Sequence, residues 1–256
     1  MQNNTFSGLF VGQNIIALPR IDSTNNYIKN LLSKSEPLPE GTVIMAEEQY
    51  AGRGQFNNQW LSEPGKNLTF SILLFPSFLH PNQQFLLNIA ISIAINEVLA
   101  KIIGSACKIK WPNDIFFNEA KLAGILIENN LSGRNWNHAI VGIGINVNQT
   151  EFPSYIQNVT SLKQITSHTF DLHLLLRDFC TTIEQRYLEL KNHRAQHHYS
   201  FYLSNLYRYN EHTEFQIHQD YKEGKIVGVD ERGSLLINIG GEIHAFAPKE
   251  VSFRKA

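Results

Sequence analysis

The chain has 256 residues, 43% of them hydrophobic, enough for one large domain, or a domain with a small appendix, around a packed core. Its 22 basic and 23 acidic residues leave a formal net charge of -1, which removes any sequence-wide electrostatic reason to bind nucleic acid or an anionic membrane. Any anion it handles has to be gripped locally.

The first cation after the initiator is Arg20, so the basic start of a secretory signal is missing and a soluble, cytoplasmic protein is expected. Asp22-Ser23-Thr24-Asn25 offers several N-caps before Tyr27, Ile28, Leu31 and Leu32 at helical spacing, and Pro37 and Pro39 stop the pattern; a short helix over 24–34 follows. Thr42 to Ala46 and Leu68 to Phe75 read as strands on either side of a polar, glycine-containing loop. Phe85 to Val98 repeats at three- and four-residue spacing until Gly104, which predicts a buried helix; Asn88, Asn96, Glu97 and Lys101 interrupt it too often for a membrane span.

Apolar runs around Ile109, at Leu122 to Ile127 and at Ala139 to Val147 read as strands, the last two antiparallel neighbours across the polar stretch 132–137. Asp171 can cap a long helix carrying Leu172, Leu175, Leu176, Phe179, Ile183 and Tyr187, whose end is undefined because 193–200 is polar. From Thr213 the pattern changes to short strands at Phe215 with Ile217, Ile226 to Val229, Leu235 to Ile239 and Ile243 to Phe246, with Glu223-Gly224, Asp230 to Gly233 and Gly240-Gly241 as turns. The class predicted is α+β, a mixed sheet with packed helices followed by a small β-barrel. Cys107 and Cys180 have neither disulfide nor metal-ligand spacing and read as packing residues.

Three stretches carry chemistry. Gly52-Arg53-Gly54 lets backbone N–H groups approach an anion while the guanidinium supplies charge, although an exposed turn has the same composition. Lys110-Trp111-Pro112-Asn113-Asp114, with Lys121 seven residues after the acid, can fold as a hairpin that returns Lys121 to Asp114, either a plain surface ion pair or the charge arrangement that acyl-phosphate chemistry needs. In Gly142-Ile143-Gly144-Ile145-Asn146-Val147 the glycines admit a close neighbour or mark a bulge, and the Asn146 amide offers both a donor and an acceptor for an adenine edge.

In order and spacing, Ser23-Thr24-Asn25, Gln49 with Gly52-Arg53-Gly54 and Trp60, then KWPND, KLAGILIE and GIGINV closely resemble the biotin protein ligases over nearly the whole chain. The resemblance implies a class II synthetase-like catalytic domain over 1–207 and an SH3-like barrel over 208–256. It implies activation of biotin by ATP with Mg²⁺ to biotinyl-5'-AMP, and transfer to a lysine of a biotin carboxyl carrier domain. Ser23, Thr24 and Gln49 would hold the biotin head group, with the Gly52-Arg53-Gly54 loop closing over it. Lys121 would contact the biotin carboxylate and the activated phosphoryl group, Arg53 the phosphates. Trp60, Asn113, Asp114 and Asn146 would lie on the nucleotide side, Asp114 near Mg²⁺ or orienting the incoming amine. Lys121, Arg53 and Asp114 are thus the implied catalytic set.

The loop of the family continues with a second arginine and a further glycine, where this chain has Gln55, Phe56 and Asn57, so the resemblance gives no guide to how tightly the adenylate is retained here. Some relatives carry an N-terminal DNA-binding winged helix; the first motif here begins at Ser23, and a ligase without repressor function or a nucleic-acid partner is expected. A homodimer stays open, since exposed strands can pair between subunits but no pattern specifies the interface. Lipoate attachment and a non-catalytic biotin sensor are the rival readings. His193, His197 and His198 read as a solvated helix end rather than a metal site, Glu47 and Glu48 as a poor acid/base pair, and Trp111 as core in preference to an adenine platform.

Overall fold

The structure is a computed structural model that describes residues 8–34, 37–192 and 194–253. It forms β1 (Ile15–Ile21), α1 (Thr24–Ser33), β2 (Val43–Gln49), β3 (Leu68–Leu74), α2 (Gln84–Ile103), β4 (Cys107–Lys110), β5 (Asp114–Phe117), β6 (Ala120–Ser132) and β7 (Asn135–Ile145). Then come α3 (Leu162–Thr166), α4 (Leu172–Lys191), α5 (Ala195–Ser204) and the strands β8 (His212–Ile217), β9 (Asp220–Val229), β10 (Leu235–Ile239), β11 (Glu242–Phe246) and β12 (Val251–Phe253).

The first seven strands make one sheet in the order β1-β2-β3-β7-β6-β5-β4, with β1 parallel to β2 and every other pair antiparallel. β3 is buried at all seven positions because both of its faces are covered. Leu68, Phe70, Ile72 and Leu74 join the large core under α2 and α4, whereas Leu73 points the other way and packs with Ile44, Ile140 and Ile28 of α1. This alternation is the period of two expected of a strand with a core on each side. α2 is long and apolar enough to cross a membrane, but Leu87, Ile91, Ile95 and Leu99 are fully buried in the core beside α4. The second sheet is antiparallel, ordered β11-β10-β9-β8-β12, and fits the small barrel expected at the C-terminal end.

Three strands carry no clear signal in the sequence, one of them β12, which is only three residues long. β1 is a half-exposed edge strand containing Pro19, so its apolar signal is diluted, and an edge tolerates the missing N–H. β5 is only four residues long, between the Pro112 bend and Asn118 in the left-handed region at φ 50°. Glu223-Gly224 is not a turn but lies inside β9, because the reversal is made earlier, where His218 adopts φ 57°. α4 is followed by α5, whose His198 is 1% exposed and bonded through Nε2 to Glu189 at 3.0 Å, so it is a core residue and not part of a solvated end. His193 lies outside the described residues, among which no cluster of three His, Cys, Asp or Glu could hold a metal. Cys107 and Cys180 are buried, and burial pushes both thiols up to about 12, which leaves them inert packing groups.

The second sheet is tied to the first at several points. The Trp111 indole N–H donates to the Gly233 carbonyl at 2.8 Å, and the Tyr199 hydroxyl to the Val229 carbonyl at 2.7 Å. Residues 205–210 are stitched to both sheets: Ile109 N–H donates to Asn205, Tyr207 N–H to Ile109, and Asn210 N–H to Ile226.

At the other end of the chain the buried Glu184 carboxylate of α4 accepts the backbone N–H groups of Leu9 (2.6 Å), Phe10 (2.6 Å) and Val11 (2.8 Å). Glu184→Gln keeps the shape but turns one acceptor into a donor facing N–H groups. We expect a loss of roughly 2–3 kcal/mol in urea unfolding with an unchanged m value; an unshifted midpoint would show that the N-terminal segment is not held this way.

Candidate active site

The site lies on the α1 side of the large sheet and follows from its register. Successive pairings align Ala46 with Thr69, Thr69 with Gly144, Gly144 with Gly124, Gly124 with Asp114, and Asp114 with Lys110. The adjacent row runs Ile44, Ser71, Gly142, Leu126. Residues opposed across strands share a face, so small side chains clear the middle of this face and charged ones close its β5–β4 end. A cavity of about 770 Å³ results, a size suited to small-molecule ligands.

The glycines of GIGIN make room for protein side chains. A Cβ on Gly142 would lie 2.4 Å from Asn25 Oδ1, and one on Gly144 would lie 2.4 Å from the Trp60 ring. Neither position is a turn or a bulge.

At one wall, Ser23 is the N-cap of α1 but makes no side-chain cap bond. Gln49 from the end of β2 takes that role: its Oε1 accepts from Thr24 N–H at 2.8 Å and from the Thr24 hydroxyl at 3.1 Å. Ser71 Oγ lies 2.6 Å from both Thr24 Oγ1 and Asn25 Oδ1. This connected polar set faces the cavity through Ser23, Thr24, Asn25 and Gln49.

At the opposite wall, Lys121 Nζ sits 2.8 Å from Asp114 Oδ1 and 5.9 Å from the Trp60 ring centroid, so the hairpin does return the lysine to the acid. The Lys121 side chain keeps 36% of its exposure. Asn113 lines the cavity while donating its amide to the Ile125 carbonyl, and Trp60 lines it with a buried indole N–H that has no protein partner.

Two residues named from the sequence do not line the cavity. Gly52 sits at the neck of the loop, where its carbonyl accepts from Trp60 N–H at 3.0 Å. Asn146 is 2% exposed and spends its amide N–H on the Thr160 carbonyl at 3.0 Å, so in this structure it fastens the segment after β7 and presents no edge to a base. Trp111, by its bond to Gly233, is a strut between the sheets. Arg53 lines the cavity, but its guanidinium is engaged away from any ligand, donating to Asn26 Oδ1 at 2.8 Å and to Glu128 Oε1 at 2.8 Å.

Glu128 and Lys110 are the charged groups whose roles the sequence did not reveal. Glu128 collects Arg53, Lys29 at 2.6 Å and the Asn25 amide at 2.8 Å. Burial pushes its carboxyl up, but the bonds from Lys29 and Asn25 and the charges of Lys29 and Arg53 outweigh this and hold it below its ordinary value. Lys110 points its ammonium at Phe116 (4.1 Å), Phe253 (5.2 Å) and Tyr207 (5.8 Å), and burial lowers its pKa by more than Asp114 and Glu119 restore. Both lie in the KWPND and KLAGILIE motifs, but a β-strand position opposite one particular neighbour leaves no local sequence signal of the partner it meets.

Because Glu128 is depressed in the folded state, the unfolded chain binds more protons as the solution is acidified. Its stabilisation is therefore complete above the ordinary carboxylate pKa of about 4.3 and is lost as pH falls through the lowered one. The stability difference between wild type and Glu128→Gln, followed by urea unfolding, should be constant above about pH 5.5 and shrink steadily below it; a difference independent of pH would mean that the carboxylate carries no such charge in the folded protein.

The biotin/lipoate A/B protein ligase family matches the chain over residues 17–146. The bifunctional ligase/repressor BirA of Salmonella typhimurium is 31% identical over 250 residues, 95% of this chain and 75% of that protein. BirA of Bacillus spizizenii is 33% identical over 187 residues, 72% of this chain and 56% of that protein, so the chain spans little more than half the length of this relative. Among solved structures, a biotin protein ligase from Aquifex aeolicus in complex with biotin and ATP has a TM-score of 0.79 at 31% identity, covering 95% of this chain and all of that one. With the motifs, the seven-stranded mixed sheet and these similarities in agreement, the chain belongs to the biotin/lipoate A/B protein ligase family.

Proposed function

We propose that this chain activates biotin with ATP to biotinyl-5'-AMP and transfers the biotinyl group to a lysine of a biotin carboxyl carrier domain, in the cytoplasm and without a repressor role. The observation that carries this reading is the Lys121–Asp114 pair, 2.8 Å apart, in the wall of a cavity whose opposite wall is the polar set around Thr24 and Gln49. A ureido ring needs short donors and acceptors in a slot, and Ser23, Thr24 and Gln49 supply them. Gln49 spends its oxygen on α1, which leaves its amide N–H as the group available to a ligand.

A biotin carboxylate laid across the cleared rows reaches the lysine wall. Its oxygen attacks the α-phosphorus of ATP and pyrophosphate leaves; the acceptor amine then attacks the carbonyl carbon, AMP leaves, and the amine proton passes to solvent. Lys121 offsets the negative charge shared by carboxylate and phosphate as they approach, and Asp114 holds its ammonium in place. Asp114 and Glu119 in the cavity wall are the carboxylates that would hold a Mg²⁺ accompanying ATP, which would supply neutralisation of phosphate charge there.

Biotin-dependent ATP–pyrophosphate exchange tests the first half-reaction. Lys121→Ala is expected to lower it by about a hundredfold or more, with a parallel loss of lysine labelling when a carrier domain is added. Biotin binding without exchange would favour a sensor, and displacement of biotin by lipoate as the better substrate would favour lipoate attachment. Operator DNA retained at physiological salt would overturn the reading as a ligase alone.

A further inference from the structure

Phe56 and Lys249 meet at the cavity from segments that belong to the two different sheets. Phe56 belongs to the loop between β2 and β3, Lys249 to the turn between β11 and β12, and both line the cavity. Lys249 Nζ stands 4.1 Å from the centroid of the Phe56 ring, within the range where an ammonium is attracted to an aromatic face. Phe56 is 50% exposed, so burial in a core does not account for its position.

Both residues also occupy the left-handed region, Phe56 at φ 54° and Lys249 at φ 77°. For residues with a side chain this conformation is unfavourable and persists only where the surroundings enforce it, as they do at ligand clamps. Here both turns are pinned. In the loop, Gly54 N–H donates to the Asn58 carbonyl at 2.7 Å, Asn58 N–H to the Gln55 carbonyl at 3.1 Å, and Arg53 bridges to Gln59. In the C-terminal turn, Glu250 N–H donates to the Ala247 carbonyl at 3.1 Å and the Glu250 carboxylate accepts Ala247 N–H at 2.7 Å. Two strained turns, one on each sheet, thus present one cation and one aromatic face to each other over the same cavity.

We propose that Phe56 and Lys249 form a clasp that joins the loop to the C-terminal sheet and slows the escape of the acyl-adenylate from the cavity. This rests on the ligase reading above. Both are positioning residues, since they act by holding the loop closed and not by touching the reacting atoms.

The test loads the full chain with radiolabelled biotinyl-adenylate and follows its release, together with the ratio of AMP formed to acceptor lysine modified. Phe56→Leu keeps apolar bulk without the π face, and Lys249→Met keeps length without the charge. Each is expected to speed release by about two- to fivefold, the factor a partly exposed cation–π contact supports, and to raise AMP formed per lysine modified. The double variant should release no faster than the faster single one, and Phe56→Trp and Lys249→Arg should retain the adenylate as wild type does. Unaltered retention in the single variants, or effects that multiply in the double variant, would overturn the clasp. A wild-type chain that forms no adenylate would overturn the ligase reading, and the clasp's ligand with it.

Discussion

Strand pairing decides which side chains share a face of a sheet, and in this protein one alignment across six strands creates the site. The row from Ala46 through Thr69, Gly144 and Gly124 to Asp114 and Lys110 passes from nearly bare backbone to a carboxylate and an ammonium. A slip of one residue would turn Ile143 and Ile145 into the cavity and bury the polar members of the row in the core under α2. Glycine weakens a strand interior, but the same strand buries Val141, Ile143 and Ile145 on its other face, and that packing holds β7 in place. The emptied face is therefore sustained by the filled one.

Electrostatics then sets the state in which the loop is found. Arg53 lines the cavity, yet its guanidinium is bound to Glu128, which also holds Lys29 and Asn25. The Arg53 side chain in this ion pair is 40% exposed, and exposed pairs of this kind are weak, so an anion entering the cavity would meet little resistance in drawing Arg53 away. Lys29 holds the same carboxylate independently, so Glu128 would keep a cation if Arg53 left it. Glu128 thereby gives the loop a defined resting position without a large barrier to leaving it.

The parts of this arrangement that were readable in sequence are those with local signatures. The helical spacing of 85–98, the Asp171 cap, and the hairpin returning Lys121 to Asp114 all depend on residues a few positions apart, and each stands where its spacing puts it. What stayed hidden depends on partners far along the chain. Asn146 carries the same amide whether it faces a base or the Thr160 carbonyl, and only the path of 158–162 decides between them. Gln49 as the surrogate cap of α1, and Glu128 as the meeting point of three elements, arise from pairings 25 to 103 residues apart. β1 was missed because an edge strand buries too little to show a pattern.

The dipeptide Lys110-Trp111 shows why the second sheet belongs to the site and is not merely attached beside it. Trp111 donates its indole N–H to Gly233 of the second sheet, while its neighbour Lys110 faces a cage of Phe116, Tyr207 and Phe253. Phe253 comes from β12, so one wall of that cage is supplied by the C-terminal sheet. Tyr207 is held in the cage by Glu119, which also binds Arg208 at 3.2 Å. Removing the sheet would strip Phe253 from the cage and lessen the burial that lowers the Lys110 pKa. The charge opposite Asp114 thus depends on contacts made some 140 residues later in the chain, and the cavity has its full set of walls only when both sheets are in place.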